Sequence, residues 1–74
     1  MQIIKVECYS GYRADERPVN FIVNGRKLVV QQIMEQWRSP DSEYYKVLAD
    51  DRRVYLIMHD NGKDHWILKK AFEH

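Results

Sequence analysis

The stretch Val19-Asn20-Phe21-Ile22-Val23-Asn24-Gly25-Arg26-Lys27-Leu28-Val29-Val30 decides the fold. Asn-Gly supplies two residues that accept positive φ, as a type I′ turn between antiparallel strands requires. Centring the turn on Asn24-Gly25 pairs Val23 with Arg26, Phe21 with Leu28 and Val19 with Val30. Those pairs bring Val19, Phe21, Val23, Leu28 and Val30 to one face, and Asn20, Lys27 and Gln31 to the other. Turn chemistry and hydrophobic alternation choose the same register independently, so a hairpin with Phe21 and Leu28 in the core is expected.

Beyond Val30 the alternation slips. Gln32 takes the position due to be buried, and Ile33 is apolar instead. A β-bulge at Gln31-Gln32 resets the phase and bends the strand. The rival is a helix over residues 30–38, since Val30, Ile33, Met34 and Trp37 have helical spacing. No residue caps a helix start there, which favours the bent strand. Upstream, Gln2–Tyr9 reads as a strand with Ile4, Val6 and Cys8 on one face and Lys5 and Glu7 on the other. Residues 10–18 form a polar loop, and Pro18 opens the next strand, where a missing N–H is tolerated.

Downstream, Ser39-Pro40-Asp41-Ser42 is a turn with Pro at a preferred position. Residues 43–50 and 53–60 form a second hairpin around Asp51-Arg52. A two-residue loop there pairs Val47 with Leu56, Tyr45 with Met58 and Ala49 with Val54. Asn61-Gly62 turns a third hairpin into His65–Phe72, pairing Ile57 with Trp66 and Met58 with His65. The expected fold is all-β: a small SH3-like or partly open barrel of five to six antiparallel strands in meander order. An α+β domain with residues 30–38 helical is the alternative.

The chain has 74 residues and a net charge of +1, so residues 1–74 form a single domain with a small core. Near-neutral charge gives no footprint for nucleic acid or an anionic membrane. One Cys excludes an internal disulfide. The longest apolar run, Val54 to Met58, is too short to span a bilayer. The start, Met1-Gln2-Ile3-Ile4-Lys5-Val6-Glu7, carries charges where a signal peptide needs an apolar stretch. A cytoplasmic protein without membrane contact is expected.

The stretch Val6-Glu7-Cys8-Tyr9-Ser10-Gly11-Tyr12-Arg13-Ala14-Asp15-Glu16-Arg17-Pro18 resembles the opening of a group of small uncharacterised bacterial proteins. Asn24-Gly25-Arg26, Glu35-Gln36-Trp37, Tyr45-Lys46-Val47 and Val54-Tyr55 are similar to that group as well. The resemblance covers nearly the whole chain and implies a compact, β-rich cytoplasmic protein. It implies no activity and no ligand residues.

His59 and His65, with Asp60 and Asp64, have the composition of a metal site. The hairpin sends the two imidazoles to opposite faces, so no metal and no cofactor is expected. Cys8, in line with Ile4 and Val6, reads as a small core residue. Arg13, Asp15, Glu16 and Arg17 form a mixed-charge loop flanked by Tyr9 and Tyr12, suited to internal ion pairs or to an anionic partner group. The registers above put Tyr44, Lys46, Leu48, Tyr55, Ile57, His59, Trp66, Leu68 and Lys70 on one face. The candidate binding surface is therefore Tyr12, Arg13, Arg17, Tyr44, Lys46, Tyr55, His59, Trp66 and Lys70. No acid–base pair or nucleophile constellation stands out, so no enzyme is expected. The expected function is a non-catalytic protein-interaction or assembly module, its partner another protein or a second copy. The alternative is a nucleic-acid-binding barrel that uses aromatics of this face, with Lys46, Lys69, Lys70, Arg52 and Arg53 on phosphates.

Overall fold

Asn24 and Gly25 both adopt positive φ, 52° and 79°, and close the hairpin as a type I′ turn. Phe21 faces Leu28 and Val23 faces Arg26, the expected register. The structure is a computed structural model and describes residues 2–9 and 17–72. Its strands are β1 (Gln2–Tyr9), β2 (Arg17–Val23), β3 (Arg26–Arg38), β4 (Ser42–Ala49), β5 (Val54–Asp60) and β6 (His65–Phe72). Each pairs antiparallel with the next and β6 returns to β1, giving a closed barrel in meander order. Residues 30–38 are strand and not helix.

Two strands belong to both walls. β3 pairs with β2 up to Val29, then with β4 from Val30 to Arg38. The handover is marked by two bulges, at Gln31 and at Met34. Each inserts a residue without a ladder partner, which bends and twists the strand. Asp50 stitches the corner: its N–H donates to Val29 O at 2.9 Å, and its Oδ1 accepts from Val29 N at 3.2 Å. β1 changes sides more simply, with residues 2–4 on β6 and 5–9 on β2. The result is a five-stranded sheet (β3, β4, β5, β6, β1) facing a three-stranded one (β1, β2, β3).

Between them lie Phe21, Tyr45, Val47 and Ile57, the largest fully buried side chains. Phe21 meets Tyr55 edge-on, with ring centroids 5.2 Å apart. Ile4, Leu28 and Ala49 complete the buried cluster, and Val6, Val23, Val30, Ile33, Trp66 and Leu68 pack around it.

Three expected details differ. Val19 is the extra residue of a bulge opposite Glu7 and Cys8, so it turns outward at 42% exposure while Asn20 is buried. The β4–β5 turn has three residues, not two. Ala49 N donates to Arg53 O at 2.9 Å, Arg52 N donates to Ala49 O at 3.0 Å, and Arg52 takes φ 67°. Asp51 Oδ1 fixes this longer turn by accepting from Arg53 N at 3.0 Å. The register slips by one, so Val47 faces Tyr55 and Tyr45 faces Ile57, and every side chain of β4 changes its neighbours. The β5–β6 turn has four residues because Asp60 Oδ1 accepts from Gly62 N and Lys63 N at 3.0 and 3.2 Å, with Asp64 at φ 55°. That register moves by two, which keeps the faces as far as Leu68: Ile57 pairs with Leu68 and His59 with Trp66, but a bulge at Lys69 then sets Lys70 opposite Leu56, on the other face from Leu68.

Two substitutions test this frame. A Cβ at Gly25 meets nothing within 4 Å, so only its φ of 79° resists substitution. Gly25→Val should cost more than about 1 kcal/mol by denaturant melt, through backbone strain alone. Phe21→Ala should cost roughly 3–5 kcal/mol, enough to abolish a cooperative transition in so small a domain.

Candidate interaction surface

Alternation divides the five-stranded sheet into an inner and an outer face. Tyr45, Val47 and Ala49 of β4, Tyr55 and Ile57 of β5, and Trp66 and Leu68 of β6 point to the core. The residues between them point away, and most are apolar.

Successive cross-strand partners form rows across the outer face. One row runs Trp37, Tyr44, Met58, Ile67, Ile3. The next runs Glu35, Lys46, Leu56, Lys70. A third runs Leu48, Val54, Phe72. Trp37 stacks on Tyr44 with centroids 5.4 Å apart and planes 6° from parallel. The Nζ atoms of Lys46 and Lys70 stand 5.2 and 5.0 Å from the Phe72 ring centroid. Met58 and Val54 are buried at 8% and 4% although they lie outside the central core, because neighbouring outer side chains cover them. Ile3 and Trp37, at the two ends of the first row, are 66% and 42% exposed.

The surface expected from the sequence is redistributed. Tyr44, Lys46 and Lys70 do share the outer face. Tyr55 and Trp66 do not: Tyr55 is core, and Trp66 packs against the core from the inner side. His59 follows the inner parity, stacked on Trp66 at 4.7 Å and 3.0 Å from Asp64 Oδ1. The one-residue slip at β4–β5 is the cause, since it sends Tyr44 and Tyr55 to opposite sides. Arg17 opens β2 and is exposed on the other sheet. Tyr12 and Arg13 lie outside the described residues. Trp37, Leu56, Met58, Ile67 and Phe72 were missed. The signal for them is the unbroken apolar run 54–58, a strand without a polar parity, which two covered faces require.

The inner face carries two shielded phenols. Tyr45 donates its hydroxyl to Glu43 Oε2 at 2.7 Å, and Arg38 Nη2 lies 3.5 Å from Glu43 Oε1. Burial first, then the Glu43 carboxylate, push the Tyr45 phenol far above its ordinary value. Tyr55 donates to Asp51 Oδ2, and burial together with that carboxylate raises it as well. Burial opposes ionisation of Asp51, but the Tyr55 hydroxyl, the Arg53 N–H and the charges of Arg53 and Arg26 outweigh it and hold the carboxyl low.

A cleft of about 370 Å³ opens where β1 passes the start of β6, lined by Ile3, Lys5, Glu7, Asn20, Asp64 and His65 among others. Asn20 Oδ1 is sealed beneath it with no hydrogen-bond partner among the described residues. Among the described residues, no three His, Cys, Asp or Glu side chains converge as metal ligands, and no helix is long and apolar enough to cross a membrane. No family model, curated protein or solved structure matches the chain.

Both phenols bind their protons more tightly in the barrel than in the unfolded chain, so their contribution is complete below the ordinary tyrosine value of 10.0 and is lost as pH climbs above it. In an absorbance titration, two of the five tyrosines should ionise only as the barrel unfolds, with a matching loss of near-ultraviolet circular dichroism. Tyr45→Phe, which keeps the ring and removes one late proton, should reduce that late step to one tyrosine.

Proposed function

We propose that this barrel is a non-catalytic protein-interaction module of the cytoplasm, and that the outer face of its five-stranded sheet is the contact surface. One observation carries the reading: β5 is apolar on both sides. Tyr55 and Ile57 fill the core, while Val54, Leu56 and Met58 take the outer parity, Leu56 half-buried at the surface and Val54 and Met58 buried beneath it. An antiparallel sheet with one solvated side alternates apolar and polar residues. A contiguous apolar patch that stays exposed marks an interaction site, and Ile3 and Trp37, 66% and 42% exposed, open this face to solvent. The resemblance of residues 6–18 to small bacterial proteins supports the cytoplasmic setting.

A nucleic-acid platform has less support. Base stacking needs open ring faces. Trp37 and Tyr44 are stacked on each other, two ammonium groups occupy the surroundings of Phe72, and the net charge is only +1.

The test compares baits. Ile3→Asp with Trp37→Ser alters two exposed ends of the first row; losing the Trp37–Tyr44 stack should cost about 0.5–1.5 kcal/mol beyond the lost burial, and a thermal melt checks that the variant is folded. Val29→Asp places the same charge at a residue 42% exposed on the three-stranded sheet. Cytoplasmic proteins bound by the wild type should be retained by the Val29 variant and lost by the double variant. Partners that survive the double variant would move the contact surface elsewhere. A gel shift with single-stranded RNA that weakens steeply with salt would replace a protein partner with nucleic acid.

A further inference from the structure

We infer that the outer face receives an acidic, amphipathic segment of another protein. Its apolar side chains would seat on Leu56 and Phe72, and its carboxylates would meet Lys46 and Lys70. The inference rests on the interaction surface proposed above and names the chemistry of its occupant.

The charges on the face carry it. Lys46 and Lys70 flank Leu56 in the middle row, between two apolar rows. Each ammonium stands about 5 Å from the same Phe72 ring, so the two are at most about 10 Å apart. Neither has a carboxylate partner among the described residues. The carboxylates that do form ion pairs serve elsewhere: Glu7 with Lys27, Glu43 with Arg38, Asp64 with His59. Glu35 lies opposite Lys46 in register and makes no ion pair with it. A lysine on such a face can lay its stem along apolar surface and keep its head in water. Two uncompensated cations over an apolar floor are complementary to a segment with two carboxylates spaced about one apolar side chain apart.

The two lysines disfavour a second copy centred on Leu56. A face-to-face pair of identical subunits is related by a two-fold axis lying in the plane of contact. An axis along the middle row sets Lys46 against Lys46 and Lys70 against Lys70. An axis along the strands, through Leu56, sets Lys46 against Lys70. Both arrangements set lysine against lysine, which is unfavourable, and only an axis displaced toward β3, which sets Glu35 against Lys46, relieves them.

Panning random dodecapeptides displayed on phage against the native protein tests the proposal without presuming a sequence. Selected peptides should combine Asp or Glu with Leu, Ile or Phe. Their affinity for the wild type should fall with salt, and by about tenfold or more for Lys46→Glu/Lys70→Glu. Selection on that variant should turn to basic peptides. Lys46→Gln/Lys70→Gln, which removes charge without reversing it, should give an intermediate loss, and thermal melts establish that both variants are folded. Apolar peptides without acids, insensitive to the lysine variants but lost with Ile3→Asp/Trp37→Ser, would overturn the acidic occupant and leave the surface standing. Selected peptides insensitive to every variant of the face, or no enrichment at all, would overturn both. A dimer in sedimentation that these face variants dissolve would put a second copy there, and tight oligouridylate binding to the wild type would put nucleic acid there.

Discussion

A strand of thirteen residues that stayed regular could not pair with β2 at one end and β4 at the other while keeping its apolar residues on a single core. β3 meets this constraint by inserting Gln31 and Met34 as unpaired residues. Each insertion changes which side chain faces inward and bends the strand, so Leu28, Val30 and Ile33 all reach the same core from one continuous strand. Asp50 then clamps the corner through two hydrogen bonds to Val29. Without that bend the two sheets would have no shared strand on this side, and the long edges of β2 and β4 would be left unpaired.

How much of this was legible depended on whether the signal was local. Asn24-Gly25 fixed its hairpin because both residues tolerate positive φ and the flanking alternation agreed. The first bulge showed as an apolar residue one place late. The β4–β5 register did not show, for a definite reason. Its turn length hinges on Arg52 entering the left-handed region, which Arg seldom does, and on Asp51 accepting the N–H of Arg53, a turn that the adjacent Asp50 suits equally well by residue type. Alternation would normally correct such an error, but the run 54–58 is apolar throughout and has no phase to offer. One missing residue in the turn therefore moved Tyr44 away from Tyr55 and Trp66, and took the candidate surface with it. The third hairpin erred by two residues, which leaves His65 to Leu68 on their expected faces, but a bulge at Lys69 then turns Lys70 to the outer face beside Leu56.

The same sheet makes two different uses of its aromatics. On the inner side Tyr45 and Tyr55 are buried with hydroxyls that must find partners, and Glu43 and Asp51 supply them from the rim of the barrel. A carboxylate acceptor makes a strong hydrogen bond and ties turn and strand together, at the cost of alkaline resistance once the phenol ionises. Asn20 shows the opposite outcome. Val19 bulges outward, Asn20 is drawn under cover, and its Oδ1 is left without a partner among the described residues. A buried acceptor left so costs about 1–3 kcal/mol, a tangible share of the stability of a small domain.

On the outer side the aromatics have no second layer to pack against among the described residues, and Lys46 and Lys70 are the cations beside them. An apolar wall without charge would collapse onto its own copies, since each chain offers the other the same sticky surface. Two cations in its middle row change that balance. They repel a second identical face centred on Leu56, and both ammonium groups stand over the Phe72 ring. The penalty falls only on partners that bring no anion. A segment that presents carboxylates between its apolar side chains meets the same lysines as an attraction, so on the proposed reading one pair of residues both disfavours self-association and selects the occupant.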